Sequence, residues 1–282
     1  QLFEAFGWTP PTYAHLGPIQ KLDDGKRRKL SKRKDPEANV AVYDQLGYPR
    51  EAVLEYLMNI ANSSFEDWKR ANPTLSYQDF EFKFSGLGKS GALIDTNKIE
   101  NIGKNFISRL SAEEVYKFSL AWGERHKPEL AELMKANREY VIAIFNIERG
   151  TVEQRKDIAK WSDVYEEIKY FFDDLFTPSA EEIANNLGTL DKETVNQACK
   201  LMIEKYSSDD EKETWINTLK DIAETLGFAR EVKLFKKSPE KYKGHFGDIA
   251  KIFRVYLTGR NRSPDLYWVM KIMGKERVQE RL

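Results

Sequence analysis

Beyond residue 35 the apolar positions recur with a helical period almost throughout. Leu54, Leu57 and Ile60 fall on one stripe of a helix predicted over 51–60. Trp215, Leu219, Ile222 and Leu226 follow one another at i, i+4, i+7 and i+11, and Gly227 supplies the stop. Phe246, Ile249, Ile252, Phe253, Tyr256 and Leu257 form a further stripe closed by Gly259. Start signals agree with these stripes. Ser111 with Glu114, Ser179 with Glu182 and Ser208 with Glu211 have the spacing of a capping box, in which the serine accepts a backbone N–H and the glutamate reaches back. Ser238-Pro239 and Ser263-Pro264 read as an N-cap followed by a first-turn proline. The stripes are therefore assigned to the core.

The front of the chain has a different texture. Residues 1–6 read as the last turns of a helix, stopped by Gly7 and then Pro10-Pro11. With no cap and no initiator methionine ahead of it, that helix is expected to continue one begun in a larger protein. Residues 19–22 predict a short strand, Asp23-Asp24-Gly25 a turn, and the basic run after it a loop. Residues 62–84, aromatic and polar with weak periodicity, are expected to be an insertion or surface excursion. No internal repeat of fixed period emerges, which argues against a helical solenoid. The expected class is mostly α, with short β elements near the start.

Composition adds bounds. A chain of 282 residues is long enough for two or three domains, and with 41% apolar and 32% charged residues it can build cores beneath a heavily solvated surface. No run approaches the roughly eighteen apolar residues of a membrane span, and no basic-then-apolar leader is seen. The single cysteine, Cys199, cannot form an internal disulfide and fits a reducing cytosol. His15, His126 and His245 lie far apart, so no metal site is expected. Net charge is zero, yet residues 1–34 hold eight Lys/Arg against three Asp/Glu and residues 228–262 hold ten against three, leaving −12 on the rest. Two basic blocks separated by an acidic-leaning stretch suit two contact zones on a long polyanion. Two solvated lysine-rich faces would carry the same charge.

The run from Lys26 to Lys34 places seven cations in nine residues, a texture of nucleic-acid patches. Its inner spelling, Lys29-Leu30-Ser31-Lys32-Arg33, resembles the lysine-methionine-serine-lysine-serine loop of class I aminoacyl-tRNA synthetases, in the form found in the glutamate branch. Ser85-Gly-Leu-Gly-Lys-Ser-Gly-Ala-Leu-Ile-Asp95, followed by Lys98-Ile99, looks like the segment that follows this loop in glutamyl-tRNA synthetases. It is not a P-loop, because Gly86 and Gly88 lack the four-residue spacing that cradles phosphates. Tyr242-Lys-Gly244, Arg254–Arg260, Ser263-Pro-Asp-Leu266 and Gly274–Val278 are similar to the C-terminal signature of the bacterial enzymes. Together these segments span nearly the whole chain.

The resemblance implies a modular organisation. It comprises the end of a catalytic domain and a stem-contact region over 1–110, a first helical anticodon-binding domain over 111–190, and a second over 191–282. The family's Rossmann domain, with its histidine-x-glycine-histidine element, has no counterpart here, since His15-Leu-Gly17 is not followed by histidine. The chain alone is therefore expected to be inactive, although the whole enzyme ligates glutamate to tRNA using ATP with Mg2+. By resemblance Lys32 is the main catalytic cation and Lys29 its helper. Lys29, Ser31, Lys32 and Arg33 meet ATP, because a loop bearing two ammonium groups can stabilise charge building on the leaving pyrophosphate. Glutamate would bind through the absent domain, and no cofactor is expected to stay bound to this chain. A cytoplasmic monomer with no membrane partner is expected.

Sequence-specific readers of RNA favour unpaired loops, whose bases stack on aromatics and are hydrogen-bonded at their edges. Lys236, Lys237, Lys241, Lys243, Arg254, Arg260 and Arg262 are interleaved with aromatics in this manner and are candidate tRNA contacts, against the bland readings of solvated face or internal ion pair. Lys169, beside Tyr170, matches a basic residue that the family places at the anticodon; the nearby Phe171, Phe172 and Phe176 are assigned to core. Towards the front, Arg27, Arg28, Lys89, Ser90, Asn97, Lys98 and Lys104 are candidate sugar–phosphate contacts. Two other classes stay open: an RNA-binding module without a ligase role, and a helical protein-interaction scaffold.

Overall fold

The computed structural model describes residues 1–88, 91–152 and 154–282. Among these the chain forms sixteen α-helices and a single two-stranded sheet, and it divides into two compact units. No helix among the described residues is long and apolar enough to cross a membrane.

The first unit takes residues 1–107 with 159–161. It opens on α1 (Leu2–Ala5), ended by Gly7 at φ +66°. Strands β1 (Gln20–Asp23) and β2 (Lys26–Lys29) pair antiparallel, with Gln20 opposite Lys29 and Asp23 opposite Lys26. Asp24 and Gly25 both have positive φ, the geometry that lets a two-residue turn match the twist of its strands. The first half of the basic run is thus a strand and not the expected loop: the turn puts it in register with β1. Ala92 and Ile94 then bond to Gln20 and bring a further extended segment alongside. Gly91 is obligatory there, since a Cβ would lie 1.8 Å from the Pro18 carbonyl oxygen.

Helices α2 (Val40–Leu46), α3 (Arg50–Ala61), α4 (Phe65–Ala71) and α5 (Thr96–Ser108) make up most of the rest. Ala52 and Tyr56 are the buried residues of α3, whereas Leu57 is 42% exposed, so the expected stripe is displaced around the helix. Residues 62–84 are more than an excursion. They contain α4, whose wholly buried Phe65 meets Phe80 edge-on at 5.1 Å while Trp68 lies 5.3 Å from Phe80. Buried Asn62 fixes the base of this segment by donating to the Lys83 carbonyl and accepting from the Ser64 amide. A small aromatic core has no period to read, which is why the pattern understated it.

The second unit takes residues 108–158 and 162–282. Helices α6 (Ala112–His126), α7 (Pro128–Ala136) and α8 (Arg138–Phe145) pack on one another through Leu130, Met134, Val141, Ile144 and Phe145. A short α9 (Val164–Ile168) and 3-10 turns follow, then α10 (Ala180–Leu187), α11 (Lys192–Lys205), α12 (Lys212–Thr225) and α13 (Val232–Lys237). The last three helices are α14 (Phe246–Thr258), α15 (Leu266–Met273) and α16 (Lys275–Arg281). Helix α14 contacts α10, α11, α12, α15 and α16, which explains why Ile249, Ile252, Phe253, Val255 and Leu257 are all buried. Residues 191–282, and all of 111–190 except 159–161, lie in this unit.

Capping boxes form at Ser111/Glu114 and Ser179/Glu182. The expected one at Ser208/Glu211 does not form; Glu211 is itself the N-cap of α12, with no side-chain bond. After Ser263-Pro264 the cap is Asp265, which accepts from the Tyr267 amide, because the Ser263 hydroxyl is engaged by Arg254. Ser238-Pro239 starts only one 3-10 turn, with no side-chain cap bond.

Candidate nucleic-acid interface

In the first unit the basic run is sorted by one carboxylate. Asp35 is 2% exposed and accepts from both terminal nitrogens of Arg28, Nη1 at 2.6 Å and Nη2 at 2.8 Å. It also accepts the Ser31 amide at 2.7 Å. Arg28 Nε reaches Asp23 at 2.5 Å. The Asp35 carboxyl is consequently held far below the ordinary carboxylate range, first by Arg28 and then by the Ser31 amide, and Arg28 is raised by its bonds to Asp35 and Asp23. Arg28 is therefore an internal anchor rather than a presented cation. Around it Lys26, Arg27, Lys29, Lys32, Arg33 and Lys34 are all exposed, and none forms an ion pair among the described residues. The Ser31 hydroxyl caps its own turn by accepting the Arg33 amide at 3.4 Å. Six unneutralised cations on one hairpin and its loop can hold a polyphosphate by charge alone.

Other front candidates differ in availability. Asn97 is exposed in the first turn of α5, and Lys104 is half-buried without an ion pair among the described residues. Lys98 donates to Glu66 at 2.6 Å, and its amide is capped by Asp95. The candidates Lys89 and Ser90 lie outside the described residues.

The second unit brings several candidates around one cleft of about 610 Å³, lined by Arg155, Lys156, Asp157, Glu167, Arg260 and Arg262 with the turn Ser263-Pro264. Arg155 is buried, pairs with Asp157 and donates to the Ile144 carbonyl at 3.2 Å. Its Nη2, Asp157 Oδ1 and the Tyr170 hydroxyl have no hydrogen-bond partner among the described residues. Arg260 is tied to Glu167 and to the Glu166 carbonyl, each at 2.7 Å. Burial, with Asp157 nearby, raises the Glu167 carboxyl above its ordinary value. Arg254 donates to the Ser263 hydroxyl at 3.1 Å, and its burial lowers it. Arg262 is exposed and without an ion pair among the described residues. Lys169 sits on the neighbouring pocket and pairs with Glu166 at 2.7 Å across one helical turn, an exposed and easily exchanged contact.

Lys236 and Lys237 close α13, and Lys241 and Lys243 follow within one short stretch. All four are exposed and none forms an ion pair among the described residues. Phe171 is fully buried, whereas Phe172 and Phe176 are only partly covered; the Arg281 guanidinium lies 4.1 Å from the Phe176 ring centroid. Residue patterning did not single out Asp35, Arg155, Asp157 or Glu167. The one available signal was an acid placed directly after a run with seven cations in nine residues.

Among the described residues, no group of three or more His, Cys, Asp and Glu could hold a metal ion.

Residues 124–282 match the family model described as the anticodon binding domain. The whole chain is 39% identical to a glutamate–tRNA ligase of Acetivibrio thermocellus, covering 51% of that protein. It is 41% identical to one of Clostridium perfringens strain 13 and 40% identical to one of Sorangium cellulosum, covering 52% of each. The chain thus spans about half the length of the curated relatives it matches. Among solved structures, a glutamate tRNA ligase from Elizabethkingia meningosepticum, in complex with its amino acid, shares the fold with TM-score 0.63 at 19% identity. That match covers 99% of this chain and 52% of the other.

Proposed function

This chain belongs to the anticodon binding domain family, and from that premise we propose that it is the tRNA-holding part of a glutamate–tRNA ligase, which joins glutamate to tRNA using ATP. The observation that carries the reading is the set of six exposed, unpaired cations around Lys29–Lys34, a feature that a plain anticodon grip does not need. In this reading Lys32, helped by Lys29, meets charge that develops on pyrophosphate as glutamyl-adenylate forms, while Arg33 and the Ser31 turn shape the loop. Mg2+ would arrive on the ATP phosphates and is assigned to no residue of this chain.

Residues 1–110 form the stem-contact region, where Arg27, Asn97, Lys98 and Lys104 steady the sugar–phosphate backbone, as do Lys89 and Ser90. Residues 111–190 and 191–282 form two anticodon-binding domains. Lys236, Lys237, Lys241 and Lys243 supply position without reading sequence. Lys169, Arg254 and Arg262 stand where bases would be read, and Arg260, clamped to Glu167, fixes the turn that presents Arg262 and Ser263. We place the protein in the cytoplasm as a monomer. The test is titration of labelled tRNA with this chain at increasing salt: affinity should fall steeply, as release of counterions from six or more phosphates requires. Affinity that is absent, or flat with salt, refutes the reading.

A further inference from the structure

We infer that Asp35 is a positioning residue for the Lys29–Arg33 loop, its carboxylate clasping Arg28 and the Ser31 amide so that the remaining cations are held outward. The inference rests on the phosphate-binding role proposed above for that loop. Its geometric basis is a closed neck. The Leu30 amide donates to the Ile19 carbonyl at 2.9 Å, extending the hairpin ladder by one step. The Ser31 carbonyl accepts the amides of Lys34 at 3.2 Å and Asp35 at 2.9 Å. Asp35 returns the bond to the Ser31 amide and takes both Arg28 donors across the neck. Lys21, from the facing strand, lies 3.6 Å from Asp35 Oδ1 and pairs with Glu37.

A buried carboxylate inside the most basic segment of the chain lowers its net attraction for an anion. Its position is understandable if order in the loop matters more than one unit of charge. Seven like charges in nine residues repel, and a flexible loop would disperse them. Within the basic run the clasp pairs with Arg28 alone, and it fixes the backbone of Ser31, whose neighbours Lys29, Lys32 and Arg33 are all exposed. A preorganised set of cations binds a polyphosphate better than a mobile set of equal charge, because less ordering entropy is lost.

This yields a sign opposite to simple electrostatics. Asp35→Asn makes the loop more positive by one charge, so tighter binding of inorganic triphosphate would follow if charge alone ruled, or if Arg28 were a direct ligand that Asp35 restrains. The positioning role requires weaker binding instead, by roughly tenfold, what one ordered charged hydrogen bond is worth. Arg28→Gln, attacking the clasp from its other end, should weaken binding similarly, and the double variant should lose little more than either single. Calorimetric titration of the 282-residue chain with triphosphate, beside thermal unfolding of each variant, supplies the affinities. Amide hydrogen exchange at Ser31 and Arg33 gives a second readout that needs no ligand: protection should fall in Asp35→Asn. Tighter or unchanged triphosphate binding with unchanged exchange overturns the inference. Failure of the unaltered chain to bind triphosphate would refute the loop's phosphate role, while the exchange data would still decide whether Asp35 orders the loop.

Discussion

Arg260 donates through Nη1 to Glu167 Oε1 at 2.7 Å, joining the turn after α14 to α9 across 93 residues of chain. This pair closes one wall of the cleft that holds Arg262 and Ser263. Arg260→Ala leaves Arg155, 3.5 Å away, as the remaining ion-pair partner of the half-buried Glu167 among the described residues. A loss of about 1–3 kcal/mol is expected, since a partly buried charge keeps its desolvation cost without its partner. Urea unfolding measures it. Combining Arg260→Ala with Glu167→Gln should recover much of the loss; an additive double variant would mean that the pair contributes nothing specific.

The Asp35 clasp sets a pH dependence. Arg28 and the Ser31 amide depress the folded-state carboxyl, whereas the unfolded chain has an ordinary carboxyl near about 3.9. Over the acid range the unfolded state thus binds more protons, and stability rises with pH. The contribution should be complete above about pH 5 and be lost progressively as pH falls below that value. Unfolding midpoints from pH 2 to 7, followed by the tryptophan signal, should show a weaker acid decline in Asp35→Asn than in the unaltered chain. Parallel declines would detach Asp35 from acid sensitivity.

In the full-length ligase proposed above, Lys32→Ala should lower kcat by roughly 10²–10³ with a much smaller effect on the KM for tRNA, as for one well-placed electrostatic donor. Steady-state aminoacylation checks this. A normal kcat with a raised KM for tRNA would move Lys32 from the reacting phosphates to the RNA.

Lys241 and Lys243 are exposed and form no ion pair among the described residues, the pattern of backbone contacts. Replacing both by alanine should weaken all tRNAs alike and flatten the slope of log K against log salt by about two. Selective loss for one tRNA would instead make them readers of sequence.

Much of the second unit was legible beforehand because its helices obey local rules. Trp215, Leu219, Ile222 and Leu226 are all buried, and Gly227 and Gly259 take the positive φ expected of helix stops. Misreadings arose where two local signals competed or where the signal was not local. Ser263 looked like a cap, but Asp265 holds the Tyr267 amide while Ser263 serves Arg254. Leu57 was placed inside by spacing, yet Ala52 and Tyr56 bury the face of α3 that packs. The cations of the front loop were readable as residues. Their division into one anchor and six presented charges was not, because it depends on Asp35 meeting Arg28 once a strand has formed from residues that have little strand preference.

The anticodon tests the central claim most directly. The chain should be titrated at moderate salt with transcripts of glutamate tRNA, and with the same transcripts carrying an unrelated anticodon. Preference for the glutamate anticodon is expected, and Lys169→Ala should narrow the gap by about 1–3 kcal/mol if that residue meets a base edge. A parallel loss for every transcript would make Lys169 a backbone contact only. Equal affinity of the unaltered chain for all anticodons would contradict its assignment as the anticodon-gripping part of a glutamate–tRNA ligase.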